Sequence, residues 1–98
     1  MCSIYAHQDP DRYASTTRRL RLNGYSTSVR LENAFWSVLD RIARSERKTT
    51  PALLSELHGE ILEHEEKLEN FASLLRCSCL LFLDGAADIR APLRKVSA

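Results

Sequence analysis

RLRLNGYSTSVRL, residues Arg19 to Leu31, decides how this chain folds. Polar and apolar residues alternate along it on both sides of Asn23-Gly24, and Asn-Gly between alternating segments is the strongest short-range signal for a β-hairpin. A two-residue turn sets Leu22 opposite Tyr25, Arg21 opposite Ser26, Leu20 opposite Thr27 and Arg19 opposite Ser28. One face then carries Leu20, Leu22, Tyr25, Thr27, Val29 and Leu31, while the other carries Arg19, Arg21, Ser26, Ser28 and Arg30. Such sorting specifies a register, because a slip of one residue would turn every leucine to the solvent side. The alternative is a single strand over Thr27 to Leu31 behind an irregular arm.

Downstream of this ribbon, helical periodicity takes over. Phe35, Trp36, Leu39, Ile42 and Ala43 recur at helical spacing within Glu32 to Arg44, which leaves Asp40, Arg41 and Arg44 for solvent. Glu32 in the first turn and Arg44, Arg47 and Lys48 around the end suit the helix dipole. After a short polar turn, Thr49-Thr50-Pro51 opens a second helix, since proline is tolerated where its missing N–H has no intrahelical partner. Thr50 is the cap if Pro51 is the first helical residue, and Thr49 is the other candidate. This second helix buries Leu53, Leu54, Leu57 and Ile61 and runs out through the acidic stretch around Glu63 to Lys67. A third helix spans Phe71 to Leu83, with Phe71, Leu74, Leu75, Ser78, Leu81 and Phe82 on one broad face. Cys77, Cys79, Leu80 and Leu83 make it apolar on nearly every side, so it expects cover from a partner chain. Residues 1–17 show no period and read as a flexible N-terminal arm. Residues 18–84 form the folded domain, and 85–98, with Arg90, Pro92, Arg94 and Lys95, a loose basic tail.

Composition narrows the function classes. At 98 residues with 44% hydrophobic content, the chain is one globular domain rather than a disordered one. No apolar run approaches the ~18 residues needed to cross a bilayer, and the N-terminus shows no hydrophobic signal region, so the cytoplasm is the expected location. The three cysteines, Cys2, Cys77 and Cys79, make an odd set. Cys77 and Cys79 sit two apart in a helix and point away from each other, so they read as reduced, small apolar fillers. The formal net charge of +1 conceals a division along the chain. Residues 1–30 hold five arginines against Asp9 and Asp11, a net of +3, whereas 51–70 hold six glutamates against Lys67, a net of −5. Only the basic end could meet a polyanion.

A lone hairpin is marginal in water, since it leaves two open edges and one face to bury. With no third strand in the chain, the simplest completion is a second copy, paired across a two-fold axis along Thr27 to Leu31. The dimer core would then gather Thr27, Val29, Leu31, Phe35, Leu39, Ile42, Leu54 and Leu57, leaving arginines and serines outside. A two-stranded ribbon of this kind fits the DNA major groove.

The order of polar ribbon, helix, short turn and capped helix from Ser26 to about Leu62 resembles the ribbon-helix-helix DNA-binding family, whose fold is that of the Arc and MetJ repressors. Gly24 to Glu32, Phe35-Trp36, Leu39, Ile42-Ala43 and Asn70 to Arg76 are similar to a group of short bacterial ribbon-helix-helix domain proteins, over roughly residues 18–83. The resemblance implies a mainly α fold with a short N-terminal β-ribbon, an intertwined homodimer and, here, an extra C-terminal helix. It implies base contacts from Ser26, Ser28 and Arg30, and a phosphate anchored at the N-terminus of the second helix, at Thr49 and Thr50. Pro51 removes one N–H from that anchor, and Arg19 and Arg21 lie outside the minimal family pattern, where they would add electrostatic attachment.

The function expected is therefore a homodimeric, cytoplasmic DNA-binding regulator or repressor, and the apolar helix 71–83 offers a face for higher oligomers. The alternative is a protein-interaction module, such as the antitoxin of a toxin pair, gripping a protein partner with the acidic stretch or the tail. His58 and His64 point about 120° apart on a helix and lack metal-ligand spacing, so they read as solvated, and no metal or cofactor is implied. Trp36 beside Phe35 reads as core rather than as a platform for single-stranded nucleic acid. No Gly-rich phosphate loop, nucleophile and base pair, or matched carboxylates are present, which argues against an enzyme.

Overall fold

The computed structural model describes residues 2–63 and 70–85. The acidic run at 64–69, with His64, and the tail at 86–98 lie outside the described residues. Two strands, β1 (Ser15–Leu22) and β2 (Tyr25–Glu32), form an antiparallel hairpin. Asn23 and Gly24 make its turn with φ of 53° and 88°. Two positive φ values in succession define the type I′ turn, whose twist matches that of the strands it joins. Leu22 faces Tyr25 and the register continues to Ser15 opposite Glu32, so the single-strand alternative falls.

Ladder parity follows from one bond beyond the last pair. The Asn33 N–H donates to the Ala14 carbonyl at 2.8 Å, next to the Thr16 and Leu31 pair. Thr27, Val29 and Leu31 therefore bond across to β1, while the backbone N–H and C=O groups of Ser26, Ser28 and Arg30 point away from the hairpin.

Three helices cover the inner face: α3 (Asn33–Ser45), α4 (Thr50–Glu63) and α5 (Phe71–Leu83). Leu22, Leu31, Leu39, Leu54, Leu75 and Cys79 are fully buried among them. Of the eight residues assigned above to a dimer core, Val29, Leu31, Leu39, Ile42 and Leu54 are already buried in the single chain, and Thr27, Phe35 and Leu57 are half-buried. In the single chain α4 packs beneath β1 while α3 and α5 close over β2.

Three further expectations are corrected. Residues 15–17 belong to β1, and the segment before them carries α1 (Cys2–Ala6) and α2 (Pro10–Tyr13). Asp9 caps α2 by accepting the Asp11 N–H at 3.0 Å, and the Asn33 side chain ties α2 to α3 by donating to the Asp11 carbonyl at 2.8 Å. On α5, Phe71, Leu75 and Cys79 turn inward, whereas Leu74, Cys77, Leu80 and Leu83 are exposed. Cys77 is thus no core filler. His58 is buried rather than solvated: its Nδ1 accepts from Asn23 Nδ2 at 3.0 Å, and its ring meets the edge of Phe71.

Candidate nucleic-acid interface

Side chains alternate between faces of the hairpin, so its outer face follows from the register. Ser15, Thr17, Arg19 and Arg21 of β1 and Ser26, Ser28 and Arg30 of β2 are all exposed there. Each arginine stands opposite a hydroxyl: Arg19 opposite Ser28, Arg21 opposite Ser26, and Arg30 opposite Thr17. Like charges directly across a sheet repel, and this arrangement avoids every such pair while keeping three guanidinium groups on one surface. Among the described residues, no carboxylate lies within ion-pair distance of Arg19, Arg21 or Arg30. Glu32, at the far end of the face, is held by Arg76 at 3.0 Å. A bond from its own backbone and one from the Arg76 guanidinium outweigh slight desolvation and keep the Glu32 carboxyl below the usual range.

Arg18 has the opposite role to its neighbour. It lies on the inner face, 4.2 Å above the Trp36 ring, and its two terminal nitrogens bond both carboxylate oxygens of Asp40 at 3.1 and 3.2 Å. Asp40 also accepts from the Thr50 hydroxyl at 2.6 Å. Burial pushes the Asp40 carboxyl up, but the bonds from Arg18 and Thr50 prevail and hold it below 3.8. Asp40, expected in solvent, is instead the junction of β1, α3 and α4. Trp36 is buried and donates Nε1–H to the Thr16 carbonyl at 2.9 Å, as befits core.

The N-terminus of α4 offers an anion little. Thr49 is the cap: its hydroxyl accepts the Ala52 N–H at 3.2 Å, and its carbonyl accepts the Leu53 N–H at 3.0 Å. Pro51 has no N–H to give, and the hydroxyl of buried Thr50 is directed to Asp40. The Thr50 N–H alone remains for a phosphate in that first turn. The ribbon residues of the candidate site thus share one surface, while Thr50 is buried on the side of Arg18, to which Asp40 links it, and Thr49 caps α4.

The hairpin tip is fixed to α4. Asn23 Nδ2 donates to the Ser55 carbonyl at 2.9 Å as well as meeting His58. A Cβ built on Gly59 would stand 3.4 Å from the Asn23 side chain, an ordinary van der Waals contact.

Residues 15–83 match a family model described as the ribbon-helix-helix domain. The chain belongs to the ribbon-helix-helix domain family. Among solved structures it is similar to an uncharacterized protein from Bordetella pertussis Tohama I, with a TM-score of 0.82 and 36% identity over 95% of this chain and 74% of that one. No curated protein matches it. The ribbon-helix-helix family is a non-enzymatic DNA-binding fold. The match begins at Ser15, where β1 begins, so the family region includes the whole hairpin and α5. Ser15 and Thr17 are outer-face residues that sequence reasoning missed. Their signal was present, since the odd-numbered positions of β1 continue outward from Arg19 and Arg21.

Proposed function

We propose that this ribbon-helix-helix protein binds double-stranded DNA through the outer face of its hairpin and acts in the cytoplasm as a homodimeric transcriptional regulator on a two-fold symmetric site. The observation that carries the reading is the outer face itself, where Arg19, Arg21 and Arg30 stand without carboxylate partners among the described residues, interleaved with Ser26, Ser28 and Thr17. Arginine and serine reach base edges and phosphates in the major groove, and a ribbon is one of the two elements that fit there. Family membership supports the same conclusion. In this scheme Arg30 reads a base, Ser26 and Ser28 add short-range polar contacts, and Arg19 and Arg21 hold phosphates.

Fluorescence anisotropy with labelled duplexes across a salt series tests the reading. Arg30→Ala weakens specific binding by about 1 to 3 kcal/mol per half-site, and Arg19→Ala or Arg21→Ala, each removing one contact from both copies, makes the log-log salt slope about 2 shallower. Folded protein that shows no salt-dependent binding to any duplex overturns it.

A further inference from the structure

We propose that β1 is a phosphate-binding rail: in the DNA-bound dimer the two β2 strands fill the major groove, and the two β1 strands lie over its walls and hold the DNA backbone. The inference rests on the DNA-binding reading above. Ribbon-helix-helix proteins bind DNA as dimers, and the hairpin offers two edges to a second copy. Ser26, Ser28 and Arg30 point their backbone groups out of the β2 edge. Ladder parity sends those of Thr17, Arg19 and Arg21 out of the β1 edge, which no backbone bond among the described residues reaches.

Charge decides which edge joins. Pairing along β1 draws Arg19 and Arg21 of both copies onto adjacent strands, where like charges repel. Pairing along β2 brings one arginine from each copy, and a register centred on Ser28 sets Arg30 opposite the partner's Ser26. Width then places β1. Strand axes lie about 4.8 Å apart, so the inner pair fits the ~12 Å major groove, whereas the outer axes, about 14 Å apart, stand over its walls.

The residues on that strand suit a phosphate. Thr17, Arg19 and Arg21 each combine an exposed polar side chain with a backbone N–H aimed at the same open edge. Arg21 gives one donor to the Gly24 carbonyl at 3.2 Å, which holds its guanidinium at the tip with further donors free. The rail also compensates for a weak anchor elsewhere, since at the start of α4 Pro51 lacks an N–H and the Thr50 hydroxyl is directed to Asp40.

Amide hydrogen exchange followed by NMR tests this on the full-length protein, free and with a mixed-sequence duplex. The Thr17, Arg19 and Arg21 amides exchange freely without DNA and slow by at least about tenfold when duplex binds. Protection of these three before DNA is added shows that copies join along β1 and overturns the inference. Duplex binding that leaves them exchanging as in the free protein overturns it while the DNA reading stands. In a salt series, Arg19→Gln/Arg21→Gln removes two contacts from each copy and makes the log-log slope about 3.6 shallower, while Arg19→Lys/Arg21→Lys leaves it unchanged. A slope that the glutamine pair does not move overturns the rail, and absence of any duplex binding removes the DNA reading and the rail together.

Discussion

Removing the Arg18 and Asp40 pair should loosen the ribbon from the helices, and a double-mutant cycle measures by how much. The guanidinium makes two bonds to the carboxylate, at 3.1 and 3.2 Å, while lying 4.2 Å above Trp36. The side chains are 35% and 34% exposed, so water screens the pair without dissolving it. Exposed ion pairs contribute about 0.2 to 1 kcal/mol and hydrogen bonds to charged groups about 1.5 to 3, which places the coupling near about 1 kcal/mol. Asp40→Ala also strips the acceptor from the hydroxyl of Thr50, a residue only 9% exposed. That adds about 1 kcal/mol, so the single substitution costs about 2 and lowers Tm by about 10 °C. Urea melts of wild type, Arg18→Ala, Asp40→Ala and the double variant at neutral pH give the four corners. The folded Asp40 pKa is depressed below 3.8, so its contribution is complete above that value and fades as pH falls through the folded pKa. A coupling below about 0.3 kcal/mol at neutral pH, or one that persists unchanged in strong acid, refutes the reasoning.

Other perturbations separate core, turn and thiols. Leu54→Ala, at a fully buried position, costs about 3 to 5 kcal/mol in urea unfolding; a loss under about 1 would mean that the core relaxes freely. Asn23→Ala loses the bonds to Ser55 and His58 and places alanine at φ 53°, for a cost of about 2 kcal/mol, while Asn23→Gly recovers the backbone share alone. Equal melts for these two turn variants would show that the left-handed backbone contributes nothing. In a Cys2→Ser background, a thiol reagent labels exposed Cys77 in the native protein and reaches Cys79 only on unfolding, because burial removes access and pushes its thiol up to about 11. Native labelling of both at one rate contradicts the placement of α5.

Legibility varied with the range over which the deciding interaction acts. Asn23-Gly24 sets a turn by its own backbone preferences, and strict alternation beside it leaves one register, so the pairing from Leu22 opposite Tyr25 to Arg19 opposite Ser28 was readable. The third helix was readable from Phe71 to Leu83 because its apolar run ends at Gly85. The start of β1 was hidden, since Ser15, Thr16, Thr17 and Arg18 are polar on both faces and alternation cannot be seen without contrast. Asp40 and His58 were misplaced for a different reason. Their partners Arg18 and Asn23 lie 22 and 35 residues away, and a polar side chain buried by a distant partner looks in sequence like one facing water. The candidate site was the more legible half: the outer ribbon residues share a surface, whereas the anchor at Thr49 and Thr50 depended on where hydroxyls point.

Arg18 and Arg19 show how little residue type alone says about a basic ribbon. They are adjacent and identical, and strand parity gives one to the protein and the other to the surface. The net of +3 over residues 1–30 therefore overstates what reaches a ligand from β1, and the local field depends on the fact that Glu32, the acid ending the outer face, is engaged by Arg76. Lysine substitution distinguishes the two roles. At position 19 a lysine keeps the point charge that a phosphate needs, so DNA affinity changes little. At position 18 it forfeits the two-bonded fork to Asp40 and the stacking over Trp36, so stability falls even though formal charge is unchanged.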